Sequence, residues 1–202
     1  MKKLFLLLLC FLFTKNIFGQ HKAGLVDSKT LFENFKDISS FDNKKYDEFL
    51  LYAEEQLSGC YEHLEDEGKY TVVVCKDKKK YKIEIIHNQK ALKKELRFDN
   101  EGNKEMENYY MYNIPIFVSN TYDKKGNLKT IIDNEKNMTY KVIDFIAKFE
   151  EFSNSDHVAT NILDKSIYNV IMGTENTLYI NSRIERKPYA IFNYQTGVIT
   201  KL

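Results

Sequence analysis

Four histidines, three cysteines and the carboxylates are the side chains from which a catalytic or metal centre would have to be built. Zinc needs imidazoles or thiolates spaced so that two fall on one face of an element. His21, His63, His87 and His157 stand far apart, with no H-E-x-x-H or H-x-H spacing. His63 and His87 fall on neighbouring expected strands, which leaves an approach in space open. Nucleophilic hydrolysis needs a Ser or Cys beside a His and an orienting acid, and no G-x-S-x-G elbow occurs. Glu62, Glu65, Asp66 and Glu67 cluster at a turn, and carboxylates are numerous enough to supply a glycosidase pair. Asp99-Asn100-Glu101-Gly102-Asn103 offers oxygen ligands near a glycine but lacks the D-x-[DN]-x-[DN]-G spacing of a calcium loop. A Gly-rich phosphate loop is absent as well. The pattern names no catalytic residue, no metal ligand and no cofactor.

Recognition by aromatic side chains is the other chemistry on offer. Tyr109, Tyr110, Tyr112 and Phe117 lie around a hairpin connection with Ile114, Pro115 and Ile116. Exposed on a sheet, they would anchor a protein interface. The competing expectation is that alternate members pack beneath a helix over 140–152.

Cysteine usage depends on the compartment. Lys2 and Lys3 precede a ten-residue apolar run, Leu4 to Phe13, and Gly19 is a small residue before Gln20. That is the layout of a secretory signal peptide cleaved after Gly19. Ten helical residues reach about 15 Å, roughly half of a hydrocarbon core, so the run is too short for an anchor. Cleavage removes Lys2, Lys3 and Lys15 from the 30 basic residues and none of the 29 acidic ones, leaving a slightly acidic chain. No basic field for nucleic acid remains. Cleavage also removes Cys10, and Cys60 and Cys75 are then an even pair in an oxidising setting. Val72-Val73-Val74 reads as strand, and Asp66-Glu67-Gly68-Lys69 reads as the turn before it. Pairing back across that turn sets Glu65 against Tyr70 and Cys60 against Cys75. A bridge there closes a loop of about 15 residues and contributes ~3 kcal/mol on the chain-entropy model.

The elements that hold these residues follow from periodicity. A short helix is expected over 29–36. Tyr46, Phe49, Leu50, Ala53 and Leu57 recur at helical spacing within 42–58, and Gly59 suits the αL exit. Beyond Gly59 the period falls to two. Strands are expected over 70–75, 81–85, 92–98, 105–112, 116–122 and 128–133, a meander of antiparallel hairpins. Val142, Ile143, Phe145, Ile146, Phe149 and Phe152 give a second helix a broad apolar stripe over 140–152. Strands return at 166–172, 177–184, 188–194 and 198–201. The Lys76–Lys80 run reads as a solvated hairpin tip, with anion binding as its functional alternative.

Two turns repeat. Phe98-Asp99-Asn100-Glu101-Gly102-Asn103-Lys104 is echoed 24 residues later by Tyr122-Asp123-Lys124-Lys125-Gly126-Asn127-Leu128. Each ends a strand on an aromatic, offers an Asp for an Asx-turn and places Gly where φ is positive. With the Glu107-Asn108-Tyr109-Tyr110 run, the stretch 98–133 resembles the MORN-type hairpin repeats of antitoxin-like bacterial proteins. The Gly-x-x-x-G-x-G form of those repeats is missing, and no functional residue carries over. Tyr189 to Ile199, a hairpin turning at Gly197, is similar to the C-terminal hairpin of PepSY-like domains, which are small extracytoplasmic α+β modules.

The expected molecule is a single α+β domain over 20–202, behind a signal peptide at 1–19. Its expected fold is an antiparallel β-meander packed by two amphipathic helices. The expected role is a non-enzymatic binding protein of the bacterial cell envelope, periplasmic or extracellular. Immunity- or antitoxin-like capping of a protein partner is its sharpest form. The partner is a protein; nucleic acid and a membrane span after cleavage are not expected. A secreted hydrolase with a carboxylate-based site is the alternative, as is a PepSY-like envelope inhibitor or ligand-binding protein.

Overall fold

Beyond Gly59, β-branched and aromatic residues alternate with charged ones between short polar turns, and apart from one helix the named elements there are all strands. A computed structural model describes residues 31–41, 43–55, 59–77, 80–155 and 161–202. The expected signal peptide, His21, His157, Lys78 and Lys79 lie outside them, and of the helix expected over 29–36 the described residues 31–36 are helical only at Leu31 and Phe32.

Seven strands follow one another in space as in sequence: β1 (Cys60–Glu65), β2 (Tyr70–Asp77), β3 (Lys80–His87), β4 (Leu92–Phe98), β5 (Lys104–Met111), β6 (Ile114–Tyr122) and β7 (Leu128–Asp133). All pairings are antiparallel. A separate antiparallel sheet, ordered β11-β10-β9-β8, holds β8 (Tyr168–Met172), β9 (Thr177–Ser182), β10 (Lys187–Asn193) and β11 (Val198–Lys201). Two short helices complete the named elements, α1 (Asn43–Glu55) and α2 (Val142–Ser155).

This overturns the expected fold class. The described chain is mostly β, eleven strands in two sheets, and not an α+β meander packed by two amphipathic helices. Two physical reasons account for the difference. First, the α2 stripe is matched to the smaller sheet: Phe145 meets Phe192 at 4.9 Å between ring centroids, and Phe149 meets Tyr168 at 5.1 Å. The aromatic hairpin around Tyr109 is therefore not beneath α2. Second, the face of the large sheet is covered largely by an irregular strap. Phe32, Phe35, Ile38 and Phe41 are buried at every third position, a period that belongs to neither helix nor strand. Phe32 packs on Tyr109, Phe35 on Tyr70, and Phe41 stacks on Tyr81 at 4.3 Å. Helix α1 adds Tyr46 and Leu50 to the same core.

Polar contacts tie the strap down. Lys36 Nζ donates to Glu65 at 3.2 Å, and Asp37 lies 3.6 Å from Lys94 Nζ. The Phe41 N–H donates to the Gly102 carbonyl, and Ser40 bridges to Asn103. A buried carboxylate links the two halves of the chain. Glu135 is 1% exposed and accepts from the Phe117 N–H in β6 and from the Val142 N–H that opens α2. Burial raises its pKa despite those two donors. Asp144 reaches back to the Lys141 N–H, completing the cap of α2.

The repeated turns have the same geometry. Asp99 Oδ1 accepts from the N–H of Glu101 and Asn103, and Asp123 Oδ1 accepts from the N–H of Lys125 and Asn127. Gly102 and Gly126 have φ of 84° and 78°. Their surroundings differ. A Cβ at Gly102 would sit 2.8 Å from the Phe41 carbonyl oxygen, whereas one at Gly126 meets nothing within 4 Å. Gly126→Ala is therefore expected to cost about 1 kcal/mol, the penalty of a side chain at positive φ. Gly102→Ala should cost clearly more, because it also pries the strap from the sheet. Urea denaturation of both variants checks this, and equal losses would show that the strap does not depend on this turn.

Candidate functional site

Cross-strand register places a charged cluster inside the large sheet's core face. Lys94 in β4 pairs with Tyr109 in β5, and Leu96 pairs with Glu107, so all four point to the side that the strap covers. Glu107 is 6% exposed and Lys94 5%. Lys94 Nζ lies 2.8 Å from Glu107 Oε1, and the Tyr109 hydroxyl donates to the same oxygen at 2.7 Å. Glu107 Oε2 accepts from Tyr122 at 3.0 Å and from Lys104 at 3.2 Å. Four donors and the nearby Asp37 make the group close to neutral overall, which is what allows it to be buried.

Burial alone would push the Glu107 pKa up. Hydrogen bonds from Lys94 and Tyr109, with the charges of Lys94 and Lys104, outweigh it and bring the value down to about 2. The Tyr109 hydroxyl is raised by burial and by its bond to Glu107, and Tyr122 is pushed up to about 12 by burial and the Glu107 charge. Glu107 is thus a fixed carboxylate and both phenols are neutral donors. Such a set offers no proton near neutral pH.

A groove of about 280 Å³ opens above this cluster between the two repeated turns. Lys104 and Tyr122 are among its lining, with Asp99, Asn103 and Asp123 from the turns and Lys80 paired to Glu105. Lys104 lies 4.8 Å from the centre of the Tyr122 ring. Asp99 and Asp123 are committed to their own turns. Burial opposes ionisation of Asp99, but its Asn103 and Glu101 donors prevail, and donors from Asn127 lower Asp123.

The candidate aromatics are divided among three places. Tyr109 and Phe117 meet on the core face, both against Phe32. Tyr112 donates its hydroxyl to the Ile162 carbonyl, between the sheets. Tyr110 lies on the opposite face under Lys93, whose Nζ is 4.6 Å from the ring centre. The spacing singled out Tyr109 but not its partners Lys94, Glu107 and Tyr122. A buried charge on a strand looks like an ordinary polar position until its cross-strand neighbours are known.

Cys60 and Cys75 are bonded and directly opposed in the register expected for them, with Glu65 against Tyr70. His63 and His87 are not neighbours, because β2 runs between their strands. His63 stacks on Phe49 at 4.4 Å, while His87 Nδ1 accepts from the N–H of Gln89 and Lys90. Burial, then Lys90, Lys69 and Lys165, lower the His87 pKa. Among the described residues no group of His, Cys, Asp and Glu is arranged to hold a metal, and no helix is long and apolar enough to cross a membrane.

The last feature is an edge. Strand β7 ends the large sheet, so β6 pairs only one side of its backbone. Leu128, Ile131 and Ile132 are 51, 58 and 47% exposed.

Acid should destabilise the fold in two windows. A folded His87 pKa below the ordinary 6.5 gives stability that is present above that pH and lost as pH falls through the lowered value. Glu107, at about 2 against an ordinary 4.5, contributes about 3 kcal/mol above pH 4.5, lost as pH falls toward 2. Urea midpoints between pH 8 and 2 should show both losses. Glu107→Gln should erase the lower one and, by stranding Lys94, weaken the fold at pH 7 by about 3 kcal/mol.

Compared with protein-family models, with curated proteins and with solved structures, the chain matches none of them.

Proposed function

We propose that the chain is an exported, non-enzymatic binding protein of the bacterial cell envelope that caps a protein partner by accepting an extended segment at β7. The observation that carries this reading is the edge itself. It has one unpaired row of backbone groups with three exposed apolar side chains along it, a template for strand addition. Asp133 shares one face with Ile131, and Lys129 sits at the bulge between Leu128 and Thr130, so the fitting segment sets apolar side chains opposite Ile131 and Ile132 and a basic group toward Asp133. The Cys60–Cys75 bridge and the basic-then-apolar start support export. The antitoxin-like hairpin resemblance over 98–133 favours a capping role.

The test is affinity capture of the tagged, oxidised mature chain from envelope extract and culture fluid of the producing bacterium. Ile131→Lys and, on the opposite edge, Leu64→Lys are run beside it. One stoichiometric partner should bind the parent and Leu64→Lys and be lost with Ile131→Lys. A partner held equally by all three, or none where ~1 μM complexes survive, would sink the proposal.

A further inference from the structure

The outer face of the small sheet carries a second arrangement, independent of β7. Asn169 in β8 and Asn181 in β9 are directly opposed, and Asn181 pairs in turn with Pro188 in β10. Among the described residues neither carboxamide has a hydrogen-bond partner. With Ser182, Arg183, Arg186 and Lys187 they line a shallow groove of about 560 Å³ whose lining includes no carboxylate. Arg183 is oriented by its Nε donating to the Tyr168 carbonyl, and Lys187 is paired with Glu185 at 2.9 Å. The next row on this face is apolar. Tyr179 stands about 7 Å along the strand from Asn181, flanked by Ile171 and Ile191. Its ring edge lies over Gly173, where any Cβ would overlap it. The ring is thereby laid down against the sheet and presents an aromatic surface.

The geometry points to this face as a binding site for an acidic saccharide. A pyranose ring offers C–H groups to the negative face of an aromatic ring. Adjacent carboxamides present donors and acceptors together, as paired hydroxyls require. Guanidinium groups bind a carboxylate or sulfate by paired N–H donors. Tyr179 and the Asn169–Asn181 pair on the sheet face, with Arg183 and Arg186 in the β9–β10 turn beside it, supply these three in sequence. A uronate carboxylate and a sulfate ester meet the same groups, and the probe distinguishes them.

Affinity electrophoresis of the mature chain through gels containing polygalacturonate, heparin or neutral dextran tests the proposal, with Tyr179→Ala and Arg186→Gln beside it. Circular dichroism and melting temperature confirm that both variants fold. The expected result is retardation by polygalacturonate, heparin or both, none by dextran, and about a tenfold loss of affinity in each variant. Retardation by heparin alone assigns a sulfate ester, and by polygalacturonate alone a uronate. No retardation by either acidic polymer would overturn the proposal. So would equal retardation of the parent and Tyr179→Ala, which marks bare charge attraction, or binding to phosphatidylglycerol vesicles without binding to either polymer.

Discussion

A meander that does not close leaves two edges, and each edge carries backbone N–H and C=O groups that no neighbouring strand satisfies. Everything about the large sheet follows from how differently those edges are treated. At one end, β1 is bonded to β2 by Cys60–Cys75, and α1 overlies it. Phe49 stacks on Tyr61 and His63, and Tyr52 on Tyr61. At the other end, β7 has no such cover among the described residues, and three of its six side chains are exposed and apolar, beside Lys129 and Asp133. Proteins commonly protect an edge with lysine, proline or a covering element. One guarded edge and one open edge give the sheet a direction, and the functional reading rests on that asymmetry.

Keeping β7 open demands that the rest of the sheet be held firmly. The strap does so across the core face, with aromatic anchors at every third residue and polar ties at Glu65, Lys94 and Gly102. Glu107 collects donors from β4, β5 and β6 and so pins three successive strands around one carboxylate. Glu135 then joins β6 to α2, and through α2 to the small sheet. Both carboxylates are buried with their donors satisfied: Glu107 by side chains of three adjacent strands, Glu135 by backbone N–H groups of β6 and α2.

What could be read in the sequence was local. The disulfide register, the two Asx-turns and strands β4, β7 and β11 depend on neighbours within a hairpin, and those emerged with their bounds. The strap was illegible because burial at every third residue has no element of its own; it makes sense only against the sheet it covers. The second sheet was missed as a sheet, although its strands were seen, since periodicity cannot say which strands share a sheet. That error placed α2 over the wrong aromatics and produced the wrong fold class. Lys94 and Glu107 look like any charged strand residues, and only the pairing of β4 with β5 brings them together. The four candidate aromatics failed to assemble for a related reason. Tyr109 and Tyr110 are consecutive in β5, so alternation alone sends them to opposite faces, and Tyr112, at positive φ, lies in the turn beyond the strand.

Hydrogen exchange of the isolated, oxidised mature chain, resolved to single amides, tests the open edge most directly. The account predicts that the outward N–H groups of β7 exchange at near-unstructured rates while those of β4 and β5 stay protected. Protection of the whole of β7 in the isolated monomer would contradict it. The edge would then already be filled, and no strand of a partner could be added there.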